Sequence, residues 1–482
     1  RLVNLTLLPI FTDEAIYIRW SQIGSRDANW RFISLTDGKQ PLFTWAMMAI
    51  LRLLPSFDPL FVGRLTSVLA GSASLVGIWF LTWELFRNQR VAWIASALYL
   101  LSPFPLMYDR MALYDSMVAT FYIWNLYLAV LLSRELHLDL ALILGMTLGA
   151  GMLNKSSGFL SLYLLPVTLL LFDWEKKKRW QRLGRWFSLV IVAAIISQGL
   201  YSILRLSPLL HMVSQKDAVF IYPFSEWWRH PFRFVVGNLK GLFDWQISYL
   251  TKPVFLLSFL PLFFFWRAVR EKVLLYLCWF LPFVALALFG RVLYPRFILF
   301  MTMPLLSLAA LTLGWIWERF RRPILKIAII TLTLLPSLYA SYLIIANPLY
   351  APIPFADRGQ YIDNWPAGWG IREVNNFLEK EAQKQKIAVY TEGTFGLLPY
   401  AVEIYLVDNP QIQIRGIWPI PRDLPAEILA QARQMPTFLV LNQTQTTPET
   451  WSLKLLAEYQ KGRNEAQKLR LYQVIPTAPK KS

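Results

Sequence analysis

The segment VGRLTSVLAGSASLVGIWFLTWELF, at residues 62–86, decides the class of fold. It is apolar along most of its length and exceeds the roughly 20 residues that an α-helix needs to cross a bilayer. Other apolar segments occur at residues 1–12, 91–108, 112–132, 139–153, 156–172, 186–206, 252–266, 273–289, 296–316 and 324–346. The sequence therefore predicts a polytopic α-helical membrane protein with about 11 transmembrane helices, the first truncated at the N-terminus. The pair of segments around residues 154–155 has an alternative interpretation as one long kinked helix.

Composition supports this class and excludes others. Of the 482 residues, 56% are hydrophobic and 16% are charged, whereas a typical soluble domain has about 25% charged residues. The net charge of +18 does not indicate nucleic-acid binding, because the basic residues cluster in short loops between apolar segments. Such loops face the cytoplasm under the positive-inside rule. The single cysteine, Cys278, excludes an intrachain disulfide.

Orientation follows from four basic loops, at residues 87–90, 173–185, 267–272 and 317–323. With these loops in the cytoplasm of a bacterial inner membrane, alternation of the helices places the longer loops on the opposite, extracytoplasmic face. Two of those loops, within residues 13–61 and 207–251, mix aromatic residues with sparse charge at near-helical spacing. They are predicted to be interfacial helices, with simple surface connectors as the alternative.

The composition changes after residue 346. Residues 347–370 are rich in Pro, Gly and aromatic residues, which is typical of a linker. A helical pattern (IREVNNFLEKEAQKQ) and three strand-like segments (KIAVYTE, TFLVLN and LRLYQVI) follow. We therefore predict a transmembrane domain over residues 1–346, and a linker with a small extracytoplasmic α/β domain over residues 347–482.

Charged groups at the edge of a membrane domain are costly, so they usually mark functional sites. On the predicted outer face they are few, and both acids and bases occur. Cations bind phosphate oxygens, and a carboxylate accepts the proton of an attacking hydroxyl. The candidates are Asp13, Glu14, Lys39, Asp115, Lys155 and Arg296.

Each candidate also has a structural interpretation. Acidic residues stabilise helix N-termini, which applies to Asp13, Glu14 and Asp115. Lysine and arginine side chains extend to the headgroups from helix ends, which applies to the three basic residues. The order of the motifs along the chain is more specific than any single residue.

Six short segments together resemble the multi-spanning glycosyltransferases of the C superfamily (GT-C), in the branch of protein O-mannosyltransferases and lipid A aminoarabinose transferases (family 39-like). TDEAIY resembles the Asp-Glu motif of the first external loop, and DGKQPLFTW with FVGRLTSVLAG resembles the Lys-Pro-Pro segment and the following helix. RMALYDSMVATF, LNKSSGFLSL and YPRFILFMTMPLLSLAA resemble the later acidic turn, lysine turn and Arg/Tyr…Pro helix. The resemblance covers roughly residues 1–346.

This resemblance implies a function for the site residues. The donor would be a polyprenyl-phosphate sugar, and the sugar would pass with inversion to a hydroxyl of a protein, lipid or glycan on the outer face. Asp13 matches the catalytic carboxylate, Glu14 its supporting neighbour, and Asp115 the second acid near the sugar. The positions near the lipid phosphate correspond to Lys39, Lys155 and Arg296.

Two departures from the family pattern affect these expectations. Ile16 stands where some relatives carry an arginine, and Gln40 replaces the first proline of the Lys-Pro-Pro segment. Some relatives bind a divalent metal, but none of the three histidines lies in these motifs, so no metal or other cofactor is predicted.

The alternative functions are a transporter or flippase of lipid-linked saccharides and a non-catalytic membrane scaffold. The one-sided distribution of charge and the lack of an internal repeat favour the enzyme.

Overall fold

The computed structural model describes residues 1–264, 268–448 and 450–476. The end of the predicted segment 252–266, the first residue of the basic loop 267–272 and the end of the predicted C-terminal domain (477–482) lie outside these ranges. The chain divides into two units. The helical unit comprises Arg1–Val3, Asn29–Ala46 and Arg64–Pro354, and the sheet unit comprises Asn4–Ala28, Met47–Gly63 and Phe355–Ser482. This grouping differs from the domain boundary expected after residue 346, because two N-terminal stretches group with the C-terminal part.

Most of the helices up to residue 201 are apolar. The helices in this range are α1 (Thr12–Arg26), α2 (Leu42–Leu53), α3 (Pro59–Phe86), α4 (Gln89–Leu101), α5 (Pro103–Tyr108), α6 (Tyr114–Glu135), α7 (Leu138–Asn154), α8 (Phe159–Tyr163) and α9 (Arg179–Tyr201). The helices that follow, up to residue 346, are α10 (His211–Phe220), α11 (Phe224–Trp227), α12 (Val235–Leu250), α13 (Lys252–Phe259), α14 (Pro261–Phe264), α15 (Val269–Phe289), α16 (Thr302–Arg319) and α17 (Pro323–Ala346).

Among the described residues, five helices have the length and apolar composition needed to cross a membrane. They are α3, α6, α9 with its 3-10 extension to Leu206, α15 and α17. The pair Val235–Leu250 and Lys252–Phe263, which is bent by 108°, would add a sixth span. The multi-pass helical class is therefore confirmed, whereas the count of about 11 is not.

Three predicted segments differ from the structure. Residues 1–10 form turns and irregular backbone, so the expected helical segment at 1–12 is wrong, and α1 begins only at Thr12. The ring of Pro9 removes a backbone donor just before that start. Segment 91–108 is divided at Ser102, where Pro103 begins a new helix. Part of the predicted interfacial stretch 207–251 is α12, one half of the bent pair.

Close packing of α6, α7 and α9 forms one core of the helical unit. Its buried residues include Leu132, Leu144 and Leu189. Gly145 and Gly149 lie one turn apart on α7, and a Cβ at Gly145 would approach the carbonyl oxygen of Ala193 to 2.8 Å. Small residues four apart let two apolar helices approach closely, as is common between membrane helices.

The sheet unit contains a five-stranded sheet in the order β2-β1-β3-β5-β4. Its remaining elements are α18 (Phe355–Arg358), α19 (Ile371–Ala382), β1 (Ile387–Glu392), α20 (Leu397–Leu406), β2 (Ile412–Ile417), α21 (Ala426–Gln434), β3 (Thr437–Leu441), β4 (Leu453–Lys461) and β5 (Asn464–Val474). β1 pairs in parallel with β2 and β3, while β5 pairs antiparallel with β3 and β4.

The apolar segments predicted to be strands form β1, β3 and part of β5, and the predicted helix forms α19. Every residue of β1 and β3 is buried, which explains why they read as continuous apolar runs. β2 and β4 are only partly buried and carry mixed polar residues, so the sequence did not single them out.

Candidate functional site

The loop that carries Lys39 is fixed against α10. A short 3-10 helix ends at Asp37, and Gly38 closes it in the left-handed conformation with φ of 65°. A Cβ at Gly38 would lie 2.3 Å from the carbonyl oxygen of Met212, so both the conformation and the space require glycine. The Lys39 Nζ lies 5.3 Å from the centroid of the Phe220 ring, at the end of α10.

Asp115 and Lys155 form an ion pair between two helix ends. Asp115 lies in the first turn of α6, and Lys155 follows the last residue of α7 with an extended backbone. The Lys155 Nζ is 2.6 Å from the Asp115 Oδ1, and the two side chains are 24% and 6% exposed. The Asn154 Nδ2 donates to the carbonyl oxygen of Tyr114 at 3.2 Å, which holds the same two helix ends together.

Two phenylalanine rings connect the three basic candidates. The rings of Phe220 and Phe297 meet edge to face at 5.5 Å between centroids. The Lys155 Nζ is 4.3 Å from the centroid of Phe297, and the Arg296 Cζ is 5.6 Å from the same centroid. Cations above aromatic faces are attracted by the ring quadrupole. The sequence-predicted bases Lys39, Lys155 and Arg296 therefore lie around one aromatic pair.

The backbone holds this aromatic pair in place. The carbonyl oxygen of Phe220 accepts from the backbone N–H of Arg291 at 2.8 Å, and the N–H of Tyr222 donates to the carbonyl of Phe289 at 2.8 Å. These bonds tie the end of α10 to the chain after α15. Pro295 then begins a 3-10 helix over Pro295–Ile298, which contains both the buried Arg296 and Phe297.

The structure adds Asp217, which the sequence analysis missed. The Ser156 Oγ donates to the Asp217 Oδ2 at 2.8 Å, and the Gln40 Nε2 donates to the Ser156 Oγ at 2.6 Å. Burial raises the pKa of the Asp217 carboxyl above its ordinary value, while the Ser156 hydrogen bond and the positive charges of Lys39 and Lys155 oppose this rise. In the sequence, Asp217 is one of three acids in the long aromatic loop at residues 207–251, and nothing there distinguishes it from the others.

Asp13 and Glu14 belong to the sheet unit, where they occupy the first turn of α1. Glu14 is fully buried, and its Oε2 accepts from the backbone N–H of Phe11 at 2.9 Å. This contact is the carboxylate half of a capping box, which satisfies a donor at the helix start. Asp13 is half-buried. This hydrogen bond supports the structural interpretation of Glu14 as a helix-capping acid.

Within the helical unit, the arrangement is suited to a phosphate. Three cations surround two aromatic rings, Asp115 pairs with Lys155, and Asp217 accepts from Ser156, the residue after Lys155. Ammonium and guanidinium groups make strong, charge-assisted hydrogen bonds to phosphate oxygens. Among the described residues, no group of three or more His, Cys, Asp or Glu side chains has the arrangement of a metal site.

Comparisons with known proteins agree with this architecture. The profile of the dolichyl-phosphate-mannose-protein mannosyltransferase family matches residues 38–201. The fold is similar to that of ArnT from Cupriavidus metallidurans in the apo state, with a TM-score of 0.62 and 14% identity over 98% of this chain and 95% of that one. The same TM-score and identity hold for that organism's ArnT bound to undecaprenyl phosphate, over 98% of this chain and 96% of that one. A search of curated protein sequences found no match.

These observations define a multi-pass helical membrane protein with an additional α/β sheet unit, and with a cluster of cations and carboxylates at helix ends. The matched family profile covers the residues that carry Lys39, Asp115 and Lys155. Residues 38–201 are thus similar to a family of dolichyl-phosphate-mannose-protein mannosyltransferases, and the chain as a whole shares the fold of ArnT from Cupriavidus metallidurans.

Proposed function

We propose that the protein transfers a sugar from a polyprenyl-phosphate donor to an acceptor hydroxyl at the extracytoplasmic face of a bacterial inner membrane. The observation that carries this proposal is the convergence of Lys39, Lys155 and Arg296 around Phe220 and Phe297. The match to a family of dolichyl-phosphate-mannose-protein mannosyltransferases supports a lipid-phosphate donor. So does the fold shared with a protein solved with undecaprenyl phosphate.

The three cations would act on the leaving group. As the acceptor oxygen attacks the anomeric carbon from the opposite side, the bond from that carbon to the phosphate oxygen breaks with inversion. The electron pair of that bond moves to the phosphate, where nearby positive charge stabilises it. Asp115 would keep Lys155 oriented through their ion pair at 2.6 Å, close to the sugar.

The base is a separate assignment, which rests on the resemblance of TDEAIY to the family's Asp-Glu motif. Asp13 would accept the proton of the acceptor hydroxyl. Glu14, which accepts from the N–H of Phe11, would act through Asp13 by fixing the first turn of α1. The sugar, and whether the acceptor is a protein, a lipid or a glycan, are left open in this proposal.

The test uses the full chain in nanodiscs with a panel of polyprenyl-phosphate sugars and measures release of free polyprenyl phosphate by mass spectrometry. We expect release by the wild type and none by Asp13→Asn, because an amide cannot accept the proton. Asp27→Asn is the matched control, since this exposed acid follows the other end of α1. Turnover by Asp13→Asn at the wild-type rate would remove Asp13 from the chemistry.

The phosphate contact has its own test. Lys39→Ala should weaken donor binding, whereas Lys240→Ala, which removes an exposed lysine from the same unit, should not. An unchanged donor affinity in Lys39→Ala would argue against a phosphate contact at that residue.

A transporter or flippase of lipid-linked saccharides is the second candidate, because one observation favours it. The bend of 108° between Val235–Leu250 and Lys252–Phe263 is a broken helix pair, a feature from which transporters build substrate sites. Movement of a fluorescent polyprenyl-phosphate sugar across proteoliposome membranes, without release of polyprenyl phosphate, would favour this function over transfer.

A further inference from the structure

The carboxylate of Asp217 is anchored among the cations of the helical unit. It accepts from the Ser156 Oγ at 2.8 Å, and Ser156 in turn accepts from the Gln40 Nε2 at 2.6 Å. Ser156 is next to Lys155 in sequence, and Gln40 is next to Lys39. The hydrogen-bonded chain therefore ties one negative charge to the two segments that carry the lysines.

The hydrogen bonds through Ser156 and Gln40 place the Asp217 carboxylate beside the segments that carry Lys155 and Lys39. Lys39 and Lys155 both act electrostatically on Asp217. Lys216, the adjacent residue on α10, pairs instead with Asp37, whose Oδ1 lies 2.7 Å from the Lys216 Nζ. Neighbouring residues of α10 therefore differ in their partners, because Lys216 pairs with Asp37 whereas Asp217 accepts from Ser156, next to Lys155.

We propose that Asp217 is the resident counter-ion of the phosphate site, and that its carboxylate competes with the phosphate of a lipid-linked ligand for Lys39 and Lys155. This inference rests on the proposed function, because it assumes a phosphate ligand. Lys155 already pairs with Asp115 at 2.6 Å, and Asp217 adds a further negative charge that lowers the cost of clustering partly buried cations while the site is empty. The same charge limits the affinity for the polyprenyl-phosphate product, which favours its release.

A positioning role would have the opposite effect on binding. If Asp217 only held Ser156 and the lysine segments in place, its loss would disorder them and weaken phosphate binding. If it competes with the phosphate, loss of its charge strengthens binding as long as the geometry is kept. Asparagine keeps the shape of the side chain and an oxygen that accepts from Ser156, so Asp217→Asn changes the charge and little else.

The experiment measures the affinity of the full chain in nanodiscs for undecaprenyl phosphate. We expect Asp217→Asn to bind about tenfold more tightly than the wild type, the size typical of one partly buried charge several ångströms from a ligand. Asp37→Asn is the matched control, because it removes a charge that Lys216 already neutralises, and it should change the affinity by less than about twofold. In donor assays, Asp217→Asn should lower KM and also kcat, since product release is slowed.

Unchanged or weaker binding by Asp217→Asn, with normal binding by the wild type, would overturn the counter-ion role and leave the phosphate site intact. No binding by the wild type would overturn both this inference and the proposed donor. Asp217→Ser, a smaller neutral variant, should also bind more tightly. If only Asp217→Glu folds among the three variants, the charge is structural and the inference is wrong.

Discussion

The Lys155–Asp115 pair allows a structural role to be separated from a functional one. The Lys155 Nζ lies 2.6 Å from the Asp115 Oδ1, and only 6% of the Asp115 side chain is exposed. Lys155→Met would leave this buried carboxylate without its nearest counter-ion, which typically costs about 3–5 kcal/mol of folding free energy. We expect the lower end, about 3 kcal/mol, because the Lys155 side chain is one quarter exposed and its charge is partly screened.

The double variant Lys155→Met/Asp115→Leu should recover most of this loss. Replacing a buried ion pair by apolar residues of similar volume is often neutral for stability, because no unpaired charge is left. Asp115→Leu alone should cost less than Lys155→Met, since Lys155 still faces the charge of Asp217. Stability would be followed by thermal unfolding and by limited proteolysis in nanodiscs, and transfer by release of polyprenyl phosphate.

The decisive comparison is between stability and transfer in the double variant. If the pair serves the reaction, the double variant folds like the wild type and remains inactive, because the cation near the phosphate is missing. Recovery of both stability and transfer would show that the pair only joins α6 to α7. Lys155→Met with wild-type stability would refute the burial argument itself.

Three further predictions concern the sheet unit. Glu14→Ala should destabilise the protein by about 1–3 kcal/mol, measured by thermal unfolding, because the buried N–H of Phe11 loses its acceptor; an unaltered stability would contradict this. Burial lowers the pKa of the Lys461 ammonium to about 7 from an ordinary 10.5, and its Nζ donates to the carbonyl of Ala367 at 2.6 Å. At pH values between these two pKa values, the unfolded chain binds up to one proton more than the folded chain. The free energy of unfolding should therefore rise by up to about 1.4 kcal/mol per pH unit. Lys461→Met should flatten that rise, as measured by unfolding at different pH values. A cysteine introduced at the exposed Gln443 should react with a membrane-impermeant label in intact cells, and protection would refute the extracytoplasmic placement.

Long-range contacts account for what sequence reasoning missed in the site. Each basic candidate was visible because a charge beside an apolar segment is rare, and the structure brings Lys39, Lys155 and Arg296 to one aromatic pair. Asp217 was missed because its importance depends on Ser156, 61 positions away in the chain. A local sequence pattern cannot predict a contact between residues so far apart in the chain. Phe220 and Phe297 were not predicted either, because their contact is also long-range and the chain contains many other aromatic residues.

The fold divides in the same way. Length and apolar composition identified the long spans such as α3 and α17. Strands β1 and β3 could be predicted because they are fully buried and therefore apolar throughout. Both properties belong to a continuous stretch of chain. The sequence did not predict the break at Ser102, the bend after Leu250 or the grouping of residues 4–28 with the C-terminal sheet. They depend on which distant surfaces pack together.

The sequence by itself determined that this is a multi-pass membrane protein with a C-terminal α/β part, and it named the charged residues worth testing. The cost of burying charge in an apolar chain makes those residues conspicuous wherever they lie. Only the tertiary structure decided that Lys155 pairs with Asp115, that Glu14 caps α1 and that Asp217 accepts a hydrogen bond from Ser156. An ion pair or a cap is a relation between atoms in space, and its energy depends on distance and burial.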